Sequence, residues 1–397
     1  MVMTGYRPGA YAVGRPARVS WWERVLNPAS PLWRVDWLLL GCVLLLCALG
    51  SLLVWSATRT ALANAGEDPQ SYFHKQLLNI GIGLALAVLA VVVDYRSLRV
   101  YGWVVYGIAI LGLVLVLTPL GSTINGSHSW IELGGGFSFQ PSEFAKLGIL
   151  LAMAITLAER RDREEAPRTG DILGALSIAA LPMGLVMLQP DLGTTMVMAF
   201  IVLGVLTVSG APARWPLGLI AAGVVAGFVV VRLGLLSEYQ MNRFAAFADP
   251  TLDPRGVGYN TIQSRIAIGA GGLTGKGLFH GSQTTGQFVP EQQTDFIFTV
   301  AGEELGFVGA GLIIVLFIVL IWRACRIALR SDDLFGALIA AGVVSWFGFQ
   351  VFENIGMTIG IMPVTGIPLP YVSYGGSAMF ANLIAAGLLL NIQLRSE

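Results

Sequence analysis

The sequence is short of charge. Of its 397 residues only 12% are Asp, Glu, Lys or Arg, about half the share of a soluble globular protein. Lysine and arginine together number 24, as do aspartate and glutamate, so the formal net charge is zero. No basic excess exists to hold a phosphate backbone, which excludes a nucleic-acid partner. Histidine and cysteine are also scarce, with three of each. His74, His128 and His280 lie far apart. Cys42 and Cys47 sit in an apolar run and Cys325 stands beside Arg326, so neither a disulfide framework nor a zinc site is expected. No cleavable signal peptide is visible, because the first apolar run begins near residue 36 behind a long arginine-containing tail and should remain as an anchor. What the chain has in abundance is apolar surface: 55% hydrophobic residues and a mean hydropathy of +0.71. That composition predicts an all-α polytopic membrane protein and excludes a soluble enzyme or a disordered tail.

A helix needs about 20 mostly apolar residues to cross the hydrocarbon core. The sequence offers ten such spans, at 36–57, 77–93, 101–118, 143–158, 171–188, 193–209, 215–235, 298–322, 336–357 and 375–393. The fifth and sixth are separated only by Gln189-Pro190-Asp191-Leu192, and they read better as two helices than as one kinked segment. Placing the N-terminus in the cytoplasm puts sixteen arginines on inner segments and seven basic residues outside, among them Arg59, Lys75, Arg243 and Lys276. The positive-inside rule then gives both termini cytoplasmic. Residues 1–35 form the N-terminal tail, whose stretch from Ser20 to Trp33 reads either as an interfacial helix or as a disordered segment.

Most loops are short. The exception is the outer loop of residues 236–297, rich in Gly, Gln and Thr and too poor in apolar residues to fold by itself. Loops of that length without structure of their own are usually functional or disordered. Asp295 stands where this loop enters the eighth span, a position suited to a helix N-cap and equally to a catalytic carboxylate. Glu143 and Lys146 lie at i, i+3 in the fourth span, where they can pair. Intramembrane ionisable groups are functional candidates by default. Glu303 and Glu304 are adjacent and so face different directions, which suits binding a neighbouring helix end or lining a polar cavity. Between the ninth and tenth spans, Pro363, Pro368 and Pro370 forbid a continuous helix. Irregular backbone at that depth must pack in protein or line a wet cavity, so this segment should dip into the outer mouth beside Asp295. Asn125, Trp130, Asp191, Arg243, Asp295 and Ser373 thus gather on one side of the membrane. The small residues Gly336, Ala337, Ala340, Ala341 and Gly342 of the ninth span suit either a partner's helix or internal packing.

Several long motifs resemble the SEDS family (shape, elongation, division and sporulation). They are NGSHSWI at 125–131, QPSEFAK at 140–146, QPDLGT at 189–194, GYNTIQSRIAIGAGGLTGKG at 258–277, PEQQTDFIF at 290–298, EELGFVG at 303–309 and LPYVSYGGS at 369–377. The resemblance covers nearly all of residues 36–397, and the loop is similar to the RodA branch more than to the FtsW branch. Two positions depart from the family pattern: no basic residue precedes Trp130, and Gln293 stands where histidine is common.

The resemblance implies a ten-helix peptidoglycan glycosyltransferase of the bacterial cytoplasmic membrane, with 236–297 as its extracytoplasmic catalytic loop. Its substrate would be lipid II, and its partners a class B penicillin-binding protein and other membrane proteins of the elongation complex. The reaction joins C1 of one sugar to the 4-hydroxyl of another and expels undecaprenyl pyrophosphate. Inverting transfer needs a base on the face opposite the leaving group, the role expected of Asp295. Arg243 and Lys276 would balance the leaving charge, with Mg2+ or Mn2+ carried on the pyrophosphate. Trp130, Glu143, Lys146, Gln189, Asp191 and Ser373 complete the expected substrate-binding set. Two other readings remain open at this point: a lipid II flippase, which ten spans and broken segments also suit, and a scaffold that only positions a penicillin-binding protein.

Overall fold

The structure, a computed structural model, describes residues 34–124, 127–134, 137–161, 167–234 and 257–396, with residues 241 and 247 singly. The N-terminal tail up to residue 33, Asn125 and Arg243 therefore lie outside the described residues.

The apolar runs become helices because backbone in lipid must satisfy its own hydrogen bonds. In chain order they are α1 (Trp37–Asn64), α2 (Ser71–Val92), α3 (Leu98–Val116), α4 (Pro141–Arg161), α5 (Thr169–Met187), α6 (Leu192–Val208) and α7 (Arg214–Arg232). After them come α8 (Val257–Gly271), α9 (Ser282–Thr285), α10 (Ile297–Glu304), α11 (Gly306–Arg330), α12 (Leu334–Ile359) and α13 (Gly376–Arg395). Eight of these, α1 to α5 and α11 to α13, are long and apolar enough to cross a membrane, and α6 and α7 are apolar but shorter. The fifth and sixth spans are two helices, as their separating turn predicts. Asp191 makes that turn a start signal, its carboxylate accepting the Thr194 N–H at 2.9 Å.

The core centres on α4, the least apolar of the spanning helices, with 89% of its span buried. α12 and α13 flank it, while α2 and α3 are mostly outward-facing. Small residues let these helices approach closely. A side chain at Gly387 would strike the α2 backbone at Ala87 (2.6 Å to its carbonyl oxygen), and one at Gly342 would overlap Leu150 of α4. Gly336, Ala340, Ala341 and Gly342 are buried. Of the two uses the sequence allows for this small-residue patch, internal packing is the one these buried residues serve.

Two elements differ from expectation. Three short strands, β1 (Ser122–Ile124), β2 (Ser127–Gly134) and β3 (Phe137–Phe139), form an antiparallel sheet, so among the described residues the architecture is all-α apart from this one meander. The eighth span is also not continuous: it breaks at Leu305 between α10 and α11. Gly306 adopts a positive φ of 68° there, and a side chain on it would press on the Leu273 carbonyl at 2.7 Å. Residues 272–277 cross the break and satisfy its orphan backbone groups. The Phe307 N–H reaches the Gly272 carbonyl (2.9 Å), and the Lys276 N–H reaches the Glu303 carbonyl (3.0 Å).

Candidate active site

The first turns of α4, α6 and α13, together with α2 near its start, converge on a cavity of about 360 Å³. The β-meander contributes Ser129 and Trp130, and the segment before α10 contributes Glu291 and Asp295. The proline-broken segment between α12 and α13 adds Thr365, Gly366 and Pro368. Of the residues singled out from sequence, this cavity brings together Trp130, Glu143, Asp191 and Asp295.

Asp295 is half-buried in the wall. The N-cap of α10 is Phe296, so Asp295 does not occupy the capping position. Its backbone is fixed from α12, where the Asn354 amide donates to the Asp295 carbonyl at 2.8 Å and to the Ile367 carbonyl at 2.7 Å. The Tyr374 N–H donates to the Gln293 carbonyl at 2.9 Å, a second tie between the same two segments.

Glu143 and Lys146 form a buried pair beneath the cavity. The ammonium lies 2.9 Å from one carboxylate oxygen and 2.8 Å from the other. It also reaches the Gln350 side-chain oxygen at 3.3 Å and sits 4.6 Å from the Trp346 ring centre. Gln350 accepts the Trp346 indole N–H at 2.6 Å and donates to the Pro368 carbonyl at 2.7 Å. One helix face of α12, through Trp346, Gln350 and Asn354 at successive i+4 positions, therefore holds both the ion pair and the broken segment.

Other expected site residues lie elsewhere. Lys276 is outside the cavity: it pairs with Glu303 at 3.0 Å and reaches the Ser282 hydroxyl at 2.6 Å, so it anchors its own loop. Gln189 is buried behind the wall, donating to the Leu113 carbonyl at 3.2 Å and accepting from the Ser127 hydroxyl at 2.8 Å through its own carbonyl. Ser373 caps a turn, its hydroxyl accepting the Leu369 N–H at 2.8 Å. Asp191 lines the cavity, but its oxygens already serve α6 and the Gln140 amide (3.3 Å). Glu303 and Glu304 do bind a neighbouring helix end. Glu303 accepts the N–H groups of Gln283 and Thr284 at 2.9 and 2.8 Å, at the start of α9. Glu304 accepts the Ser56 hydroxyl at 2.6 Å.

Sequence reasoning missed Tyr72, Lys75, Asn79 and Tyr374, all of which line the cavity. The signal lay in α2, whose buried residues Gln76, Asn79 and Gly83 fall at helical spacing. The Tyr72 and Tyr374 rings stand 4.8 Å apart. Burial, reinforced by Tyr72, pushes the Tyr374 hydroxyl up to about 12, so it remains a hydrogen-bond donor at neutral pH.

The FtsW/RodA/SpoVE model, described as a cell cycle protein, matches residues 36–397. The chain is 42% identical to stage V sporulation protein E of Bacillus subtilis over 91% of its length and 98% of the relative's. It is 38% identical to the peptidoglycan glycosyltransferase MrdB of Escherichia coli, covering 95% and 96% of the two chains. Among solved structures, a chain from a peptidoglycan synthase complex that coordinates polymerization and crosslinking matches with a TM-score of 0.74 at 34% identity, over 91% of this chain and 98% of that one. The rod shape determining protein RodA of Thermus thermophilus matches at 0.66 and 33%, over 90% and 96%. The chain is a multi-pass membrane protein that belongs to the FtsW/RodA/SpoVE family.

Proposed function

We infer that this protein is a peptidoglycan glycosyltransferase that joins lipid II units into glycan strands, with Asp295 as the general base. The observation that carries the mechanism is the position of Asp295. It is half-buried in the wall of a polar cavity, its carbonyl is held by the Asn354 amide of α12, and it does not cap α10. A base so placed accepts the proton of the attacking 4-hydroxyl, a role typically worth about 10²–10⁴-fold. Undecaprenyl pyrophosphate departs as the acceptor oxygen bonds to C1. A partner acid is not required, since pyrophosphate leaves as an anion. The lipid tail stays in the bilayer, which accounts for an enzyme built from spanning helices.

In this reading the cavity opens on the outer face and both termini are cytoplasmic. A class B penicillin-binding protein supplies the crosslinking activity, in keeping with the likeness to a synthase-complex chain. Among the described residues no three His, Cys, Asp or Glu side chains converge to hold a metal. Mg2+ or Mn2+ therefore belongs to the proposal only as a companion of the pyrophosphate.

The test uses purified protein with labelled lipid II in detergent, and the strands are resolved on a gel. Wild-type protein should give polymer. Folded Asp295→Asn protein should give none, because asparagine keeps the shape and loses the base. Near-normal polymer from that variant would remove Asp295 from the role, and no polymer from wild type would return the flippase and scaffold readings.

A further inference from the structure

Two side-chain amides of α12 carry the proline-broken wall of the cavity. Gln350 donates to the Pro368 carbonyl at 2.7 Å, and Asn354, one turn on, donates to the Ile367 carbonyl at 2.7 Å. Consecutive carbonyls of an irregular segment thus meet donors from one helix face. Thr365, Gly366 and Pro368 of that segment line the cavity, whereas Gln350 is 0% exposed and stands behind them.

The Gln350 amide can point only one way. Its oxygen accepts the Trp346 indole N–H at 2.6 Å and the Lys146 ammonium at 3.3 Å. Both of those groups are donors only, and the two lone pairs of the amide oxygen are thereby used. A flipped amide would set its NH2 against two donors and its oxygen against the Pro368 carbonyl, so the NH2 faces Pro368. A neighbouring cation also polarises the amide and strengthens the hydrogen bond it donates. Lys146 is itself held by Glu143, which lines the cavity floor. One amide therefore joins the buried ion pair to the cavity wall.

That wall reaches the base. The Asn354 amide that holds Ile367 also holds the Asp295 carbonyl at 2.8 Å, and the Tyr374 N–H holds the Gln293 carbonyl at 2.9 Å. A shift of residues 367–368 is passed to Asp295 through these ties.

We propose that Gln350 is a positioning residue for glycosyl transfer. With its amide oriented by Trp346 and Lys146, it sets the place of the proline-broken wall and, through that wall, of the Asp295 carboxylate. The assignment rests on the glycosyltransferase reading. Gln350 does not line the cavity, so its loss acts on the alignment of the base more than on substrate binding. Misplacing a reacting group by about 1 Å costs on the order of 10²-fold in rate.

The experiment compares wild type, Gln350→Met and Trp346→Phe as full chains in detergent. Methionine keeps the length of glutamine without its amide. Phenylalanine keeps a ring beside Lys146 and removes the N–H that orients the amide. Two quantities are read: kcat and KM of lipid II polymerisation per folded molecule, and hydrogen exchange of the backbone amides at 291–296 and 365–374. In Gln350→Met, kcat should fall about tenfold, the rate equivalent of one buried hydrogen bond. KM should stay within about twofold, as for a group that does not touch substrate. Trp346→Phe should show a smaller change of the same kind. Exchange should quicken at both segments and stay at the wild-type rate over 272–285, which is tied to Glu303 instead. A purely structural Gln350 would lower the unfolding midpoint and leave kcat of the folded molecules unchanged, which would overturn the proposal, as would a rise in KM alone. If Gln350→Met gives no folded protein, Trp346→Phe decides by the same two readouts. Polymer from wild type with unchanged kcat in the folded variants would overturn the positioning role and leave the glycosyltransferase reading standing. No polymer from wild type would overturn that reading and the role in transfer with it. Exchange would then decide the mechanical link: faster exchange at 291–296 in the variants supports it, and unchanged exchange there overturns it.

Discussion

The two lysine–glutamate pairs of this protein have the same chemistry and opposite surroundings. Glu143 and Lys146 are both fully buried, and the remaining contacts of the ammonium are one amide oxygen and one indole ring. In the second pair Glu303 is buried but Lys276 is about 30% exposed, and the carboxylate also accepts two backbone N–H groups and the Thr284 hydroxyl. In the first pair each charge depends almost wholly on the other. In the second the carboxylate is satisfied several times over and the lysine keeps access to solvent. The contrast shows that what matters about a buried charge is how many partners survive the loss of one.

The largest expected effect tests this directly. Lys146→Ala leaves a carboxylate buried without its cation, which should cost about 3–5 kcal/mol and abolish recovery of folded protein on size exclusion. The double variant Glu143→Gln with Lys146→Met should restore folding. If the pair serves the site as well as the fold, that double variant stays inactive in the polymerisation assay; recovered activity would make the pair structural only. Next comes Glu303→Gln. It turns one charged acceptor into an amide whose NH2 must face the N–H groups of α9, at about 1–3 kcal/mol. Faster proteolysis between residues 272 and 285 would report it. Lys276→Ala should be smaller still, about 0–1 kcal/mol, since the lysine is partly exposed and the carboxylate keeps its other donors. Thermal unfolding that ranks Lys276→Ala level with Lys146→Ala would break the comparison.

Much of this was legible in the sequence, and the reasons differ by residue. Glu143 and Lys146 stand out because charge is rare inside an apolar span, and spacing alone puts them on one face. Asp295 was legible by its position at the loop's end. Lys75 was not, because a lysine at the start of a span looks like any flanking charge; its meaning depends on α2 packing against α13. Lys276 was misleading for a related reason. It lies in the loop with the most distinctive sequence, but that loop is built to cross the break at Gly306, and the lysine is spent on the crossing. The break itself hides in an apolar run, since a single glycine does not announce a positive φ. The β-meander was not legible, because its longest strand, SHSWIELG at 127–134, lacks the strict polar–apolar alternation that marks a strand.

Asn354 has a mechanical consequence. One side-chain amide fastens the backbone at Asp295 and the backbone at Ile367, and a main-chain bond from Tyr374 to Gln293 fastens the same two segments a second time. Two walls joined at two points have a single degree of freedom between them. Any widening of the cavity on that side carries Asp295 along with the proline-broken segment, so the carboxylate keeps its height above the floor while the opposite wall moves. That wall is the three-stranded meander, which meets the bundle through the Ser127–Gln189 hydrogen bond and through Phe139, stacked on Phe144 of α4 with ring centres 5.0 Å apart. The side of the cavity that carries Asp295 is thus braced to the proline-broken segment as one unit.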